Sequence, residues 1–297
     1  MRQQSNMTSR SLFKSELIHL GDVCVQPRTA GFTNPEVMDH NAIAMPLRGV
    51  FASHFSRRRV FVTTPNDAVL LGAGVPHHYS FPGGIGDYSL VLRWSPGTLA
   101  KIQPGLLCRD QFDAALFSSH VSLPPRAMVE RELLWRQVVI GKDDALEIEV
   151  RAINLLATVL SAAQRFAPRR IGRRQGSIDR QQVQIERVKA AVAADPARRW
   201  TLEMLASLAA ASPFHLARIF KSQTAVSLYE YVLRMRLACA LPLVMDSSDG
   251  LTDIALRTGF ASHSHFTEKF RTRFGVTPSE LRRRAHKNVI EGILTPH

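Results

Sequence analysis

The sequence predicts an α+β fold, with an antiparallel barrel or sandwich plus helices in its first half and an all-helical domain at its end. Three features carry that prediction. Short apolar runs between residues 41 and 94 are divided by turns containing Pro and Gly. Residues 125–166 repeat apolar side chains at helical spacing. Beyond an arginine-rich stretch, four helix-start signals fall within about eighty residues.

The expected strands are Ala44–His54, Arg59–Thr63, Ala68–Ala73 and Tyr88–Trp94, separated by Pro65-Asn66-Asp67, Gly74-Val75-Pro76 and Pro82-Gly83-Gly84. Two helices are expected next. Pro125–Ile140 places Met128, Leu133, Leu134 and Val138 on one face, and Leu146–Phe166 repeats Leu146, Val150, Ile153, Leu156, Ala157 and Leu160. The second stripe suits pairing with its twin in a homodimer, with packing on its own sheet as the alternative. Pro168, Gly172, Gly176 and four arginines then mark a solvated basic linker over 167–182. The domains expected are therefore 1–166, 183–285 and a tail at 286–297. In the helical domain, Thr201 caps one helix and Ser212 precedes Pro213, which suits a first helical turn. Ser227-Leu-Tyr-Glu230 and Thr277-Pro-Ser-Glu280 read as capping boxes.

Charge narrows the function. The 297 residues carry a formal net charge of +13. Residues 1–164 hold 16 Lys and Arg against 14 Asp and Glu, whereas residues 165–297 hold 22 against 11. A basic half suits a polyanion, most simply nucleic acid. Three dispersed cysteines, Cys24, Cys108 and Cys239, fit neither a disulfide framework nor a closed zinc site, and they suit a reducing cytoplasm. No run approaches the ~18 apolar residues of a membrane span, so membrane insertion and secretion are poor readings.

The helical part contains an internal repeat. Leu205-Ala206 is followed by Ser212, Leu216 and Phe220, and Ile254-Ala255 by Ser262, Phe266 and Phe270. The first two positions are offset by 49 residues and the last three by 50, so one extra residue sits in the second turn, which contains Gly259-Phe260. Each copy pairs a small residue, which permits close approach, with a short turn and a serine-capped second helix. That is the organisation of a helix-turn-helix, whose second helix lies in the DNA major groove.

On these residues the stretch 183–285 resembles the DNA-binding domain of the AraC/XylS family of bacterial transcription regulators. The matching positions include Leu202–Ala206, Arg218-Ile219-Phe220-Lys221, Tyr231, Arg236-Leu237-Ala238-Cys239-Ala240 and Phe274-Gly275-Val276-Thr277-Pro278, besides the repeat itself. The first half is similar in type to the cupin-like sensor domains of many members. The resemblance implies a cytoplasmic activator working on double-stranded promoter DNA with RNA polymerase. It also implies two recognition helices, and Phe214, His215, Arg218 and Lys221 are expected to point outward from the first. Arg218 is the candidate for a guanine, Phe214 for a thymine methyl and Lys221 for phosphate. His263, Ser264, His265, Thr267, Glu268 and Arg271 are expected outward on the second. A metal held by His263 and His265 is disfavoured, because positions two apart on a helix point ~200° apart.

Three residues depart from the family pattern. Glu268 stands where a basic residue is usual, and it either accepts from cytosine or points away from phosphate. Ala225 replaces the glycine after the first recognition helix. Pro242 falls inside the connecting helix, which is expected to kink or end early.

In the first half, His78, Tyr79, Arg93 and Trp94 are the expected liners of a pocket for a small organic effector. His40, His54, His77 and Asp87, with Arg57-Arg-Arg59, are further polar residues there. His77 and His78 are adjacent, so on a strand their rings face opposite ways, and no metal or cofactor is expected. A metal-dependent cupin enzyme and a nonspecific architectural DNA binder are the competing readings. No nucleophile–base constellation or phosphate-cradling glycine loop strengthens an enzyme.

Overall fold

The computed structural model describes residues 6–27, 31–56, 59–94, 98, 118–140, 144–166 and 175–294. Cys108, Arg57, Arg58 and residues 167–174 of the expected linker lie outside that set.

The first half is built from two antiparallel sheets. In the larger, β1 (Asn6–Lys14), β2 (His19–Gln26), β3 (Asn41–Gly49), β6 (Asp67–Leu71), β8 (Asp87–Trp94) and β9 (Ser118–Ser122) run in the order β1-β2-β8-β3-β6-β9. In the smaller, β4 (Phe51–Ser56), β5 (Arg59–Thr63) and β7 (His78–Ser80) run β5-β4-β7. The run expected as one strand, Ala44–His54, is two. Gly49 takes a φ of 77° and lets the chain cross from the large sheet to the small one. A Cβ there would lie 2.2 Å from the Gly86 carbonyl oxygen, which itself accepts from Val50 N at 3.0 Å.

Alternation along β8 sorts the interior. Val91 joins Val25, Ala42, Ala44, Val69 and Leu71 in an apolar layer with Phe51, Phe81, Phe55 and Tyr79 from the facing side. Leu90, Leu92 and Trp94 point the other way, into a core with Leu20, Ile43, Met45, Leu70 and two helices. Those helices are α1 (Pro125–Ile140) and α2 (Ala145–Phe166), which follow the bounds expected from periodicity. Arg131 of α1 is fully buried and donates to the carbonyls of Pro46 at 2.6 Å and Pro65 at 2.9 Å, with Glu132 beside it at 2.7 Å. The buried cation therefore has acceptors and ties α1 to the large sheet.

The remainder is helical: α3 (Gln175–Ala194), α4 (Leu202–Leu208), α5 (Pro213–Thr224), α6 (Leu228–Asp246), α7 (Leu251–Arg257), α8 (His263–Phe274) and α9 (Pro278–Leu294). Helix α3 starts inside the stretch read as linker, and α9 runs beyond residue 285. Helix α6 continues through the buried Pro242 to Asp246, so it does not end early.

These helices form two units that share α6. Its first half places Tyr231, Val232 and Met235 with Ile185, Val188, Leu205, Leu216 and Phe220. Its second half places Leu237, Leu241 and Val244 with Ile254, Phe266, Phe270 and Leu281. Both units lean on the first half of the chain. Val62 N donates to Glu186 Oε2 at 2.7 Å and Asn66 Nδ2 to Met235 Sδ at 3.0 Å on the first unit. Arg273 Nη2 donates to Met128 Sδ at 3.8 Å, and Arg136 pairs with Asp246, on the second.

Candidate nucleic-acid interface

Local chemistry builds the two helix-turn-helix units in parallel. Ser212 Oγ accepts from His215 N at 3.3 Å, and Ser262 Oγ from His265 N at 3.2 Å, so both second helices start on a serine cap. Leu205, Ala206, Ile254 and Ala255 are buried on the first helices, and Leu216, Phe220, Phe266 and Phe270 on the second. The turns are homologous up to a point. Ala211 N donates to Ala206 O at 3.0 Å and Phe260 N to Ala255 O at 2.9 Å, both 49 residues apart. The offset becomes 50 only at the capping serines, so the extra residue is Ala261.

The other caps differ from one another. Thr277 makes a complete capping box: its hydroxyl accepts from Glu280 N at 3.2 Å while Glu280 Oε2 accepts from Thr277 N at 2.8 Å. Ser227 makes half of one, because the Glu230 carboxylate turns instead to Arg234 at 2.7 Å. Ala225 takes the left-handed conformation at φ 61°, matching Gly275 at φ 77°, so the turn survives the substitution.

What these helices leave uncovered is mostly polar and basic, with one exposed aromatic ring. On α5, Phe214 is 82% exposed, Arg218 and Lys221 are exposed, and His215 is half-buried with its Nδ1 3.5 Å from Arg218 Nη2. On α8, His263, Ser264, Glu268 and Arg271 are exposed; His265 is half-buried, edge-on to Phe260 at 5.6 Å, and Thr267 is half-buried with its Oγ1 3.4 Å from His263 Nε2. Glu268 pairs with Lys269 at 2.9 Å, and the ammonium holds the carboxyl below its ordinary range. The neighbour thus offsets the charge that would otherwise face phosphate. Arg273, on the side of α8 turned to α1, is largely buried, and burial with Arg234 nearby lowers it to about 10.

A helix-turn-helix domain family model matches residues 205–284. The probable transcription factor PqrA of Proteus vulgaris is 36% identical over 81 residues, covering 27% of this chain and 66% of that protein. This part of the chain is an AraC/XylS-family DNA-binding domain. The bifunctional transcriptional activator/DNA repair enzyme AdaA of Bacillus subtilis is 33% identical over 82 residues, 28% of this chain and 39% of that one. The chain thus spans well under half the length of AdaA. The solved structure of a probable AraC family transcriptional regulator from Rhodopseudomonas palustris is 30% identical, covers 35% of this chain and 97% of that one, and has a TM-score of 0.34.

Outside the AraC/XylS-type domain, the residues expected to line an effector pocket separate. Tyr79 packs on the inner side of the small sheet, 5.6 Å from Phe51. Arg93, half-buried, shares a face of β8 with Val91; its Nη1 would lie 2.9 Å from a Cβ on Gly21, so the glycine leaves room for the guanidinium. Trp94 lies on the opposite face of β8, in the core against the helices. His78 lies on the outer side of the small sheet, stacked on His54 at 4.9 Å with Phe32 edge-on. His77 turns inward, 5.2 Å from Tyr79, so the adjacent histidines do face opposite ways. The polar inner face holds more than periodicity revealed. Ser53 Oγ and Thr63 Oγ1 are buried without hydrogen-bond partners among the described residues. Burial pushes the Asp87 carboxyl up to about 7 despite a bond from Ser89 Oγ at 2.5 Å.

No helix among the described residues is long and apolar enough to cross a membrane. No group of three His, Cys, Asp or Glu side chains among those residues is placed to hold a metal ion.

Proposed function

We propose that the chain is a sequence-specific, DNA-binding transcription regulator, an activator that works in the cytoplasm with RNA polymerase and is not an enzyme. One observation carries the reading. Two serine-capped helices, built on the same plan 50 residues apart, bury matching apolar positions and leave Arg218, Lys221, Ser264 and Arg271 to solvent. Such helices place arginine and short polar side chains against base edges, and further basic ones against phosphate.

The first half supplies control in this proposal. A small organic effector between the two sheets would meet Tyr79, Arg93 and the unpartnered hydroxyls of Ser53 and Thr63, which need a hydrogen-bonding guest or water. Both helical units rest on that half, so a shift between its sheets and α1 reaches both recognition helices. Leu146 and Val150, 64% and 48% exposed on α2, are the proposed contact with a second copy.

The test is affinity for duplexes enriched from a random pool, measured against scrambled duplexes over a salt series. The expected preference is on the order of 10³-fold or more, with binding weakening steeply as salt rises. Equal affinity for enriched and scrambled duplexes would make the chain an architectural binder instead.

A further inference from the structure

The two units are joined by more than α6. The loop between α3 and α4, residues 195–201, belongs to the first unit at both its ends and is stiffened internally. Trp200 Nε1 donates to Asp195 O at 2.8 Å, Arg198 N donates to Asp195 Oδ1 at 3.1 Å, and the Arg198 guanidinium lies 4.7 Å over the Trp200 ring. Arg236, at the point where α6 passes from one core to the other, grips this loop. Its Nε donates to Pro196 O at 2.9 Å and its Nη2 to Arg198 O at 3.0 Å.

The second unit touches the same loop through Gly259. A Cβ at Gly259 would fall 2.8 Å from Ala197 Cα, 2.9 Å from Ala197 O and 2.9 Å from Arg236 Nε. The turn itself favours glycine here, and the close contact adds to that preference. The first unit makes the equivalent turn with Ala210 at φ 48°, whereas Gly259 sits at φ 90°. Backbone strain at that φ and close contact with Ala197 and Arg236 Nε together exclude a side chain. Helix α6 alone is a weaker spacer, since Pro242 in its second half removes one backbone bond.

We propose that the 195–201 loop, held by Arg236 and seated on Gly259, is a strut that fixes the separation and angle of α5 and α8. Arg236 and Gly259 are thereby positioning residues that set which spacing between two DNA half-sites the chain accepts. This rests on the reading of α5 and α8 as the helices that enter DNA. An inserted base pair shifts a half-site by ~3.4 Å and turns it by ~34°. A stiff pair of helices cannot follow that change, whereas a loosened pair can.

The experiment selects duplexes from a random pool with the full chain and with Arg236→Ala, Arg236→Lys and Gly259→Ala. It then measures affinity for the enriched site with one base pair inserted between its two enriched blocks. The original chain is expected to enrich paired blocks at one spacing and to lose ~10-fold in affinity on insertion. Arg236→Ala is expected to enrich several spacings and to lose under ~3-fold, with Arg236→Lys intermediate because it keeps a single donor. Should Arg236→Ala lose its helical circular dichroism, Gly259→Ala decides the matter, since its methyl crowds Ala197 and Arg236 Nε at the same seat while the arginine is retained. One sharp spacing with the same insertion penalty in every folded variant overturns the strut. Absence of paired blocks with the original chain overturns the DNA reading itself, and the strut with it.

Discussion

Arg136, near the end of α1, donates to the carboxylate of Asp246, the last residue of α6, and so ties the two halves of the chain together. Arg48 Nη2 stands 3.9 Å from the other oxygen of that carboxylate. Their side chains are 12% and 28% exposed for Arg136 and Asp246, so water screens the pair in part. Asp246→Ala should therefore cost only ~1 kcal/mol in global stability. Its clearer effect should be local: faster amide hydrogen exchange in the last turns of α1 and α6. Arg136→Ala should do less, because Arg48 remains. Unchanged exchange in Asp246→Ala would show that apolar packing alone holds the two halves together.

Arg218 stands exposed on α5, with His215 as its one hydrogen-bond neighbour among the described residues. No carboxylate among the described residues pairs with it, so its removal should leave stability within about 0.5 kcal/mol of the original. Arg218→Ala should cost about 1–3 kcal/mol at an enriched duplex and relax the preference at one base pair. Equal loss on enriched and scrambled duplexes would assign the residue to phosphate.

How much of this was legible in the sequence depends on what each residue's signal reports. The buried positions of the repeat were legible, because Leu216, Phe220, Phe266 and Phe270 recur at helical spacing on the side that packs. The placement of the extra residue at Ala261 was not, since a change of offset between Ala206 and Ser212 has no location without the turn's hydrogen bonds. The hairpin of β1 and β2 escaped notice because β1 is an edge strand exposed on nearly every residue, so no alternation marks it. The break at Gly49 was hidden within a run that is apolar on both sides of the crossing. The inward placement of Arg131 and Arg273 was not legible, because the carbonyls and the thioether that accept from them come from distant parts of the chain. The close contact of Gly259 with Ala197 spans sixty-odd residues of sequence, and no local pattern encodes it.

Ala225 holds a left-handed backbone at φ 61° that glycine holds in the second copy. An L side chain is strained there by about 1–2 kcal/mol, against which glycine loses more entropy on folding. Ala225→Gly should thus raise stability by about 0.5–1 kcal/mol, read as a higher urea midpoint with an unchanged slope. A lower midpoint would mean that the alanine methyl makes a contact worth more than the strain.

Asp87 is an acid that the fold prefers uncharged. It is buried on the inner face of β8, accepts one bond from Ser89 Oγ, and titrates near 7 because burial penalises its carboxylate. An unfolded aspartate titrates near ~4. Between those values the folded chain keeps a proton that the unfolded chain has released, so this group's contribution falls as pH rises from 4 to 7 and is level above. The full loss is on the order of 4 kcal/mol. His54 slopes the opposite way over much of the same range: burial and the stacked His78 lower it to about 4, so its folded form stays neutral while the unfolded imidazole takes up a proton below ~6.5. The total pH dependence therefore mixes the two groups, and the difference between the original chain and Asp87→Asn isolates one. The substituted amide retains a carbonyl acceptor for Ser89 and has no charge to bury. The variant should match the original chain within about 1 kcal/mol at pH 4.5 and exceed it by about 2 kcal/mol or more at pH 7.5, in urea unfolding at both values. A constant difference across that range would show that Asp87 is solvated in the folded chain and titrates as an ordinary carboxyl.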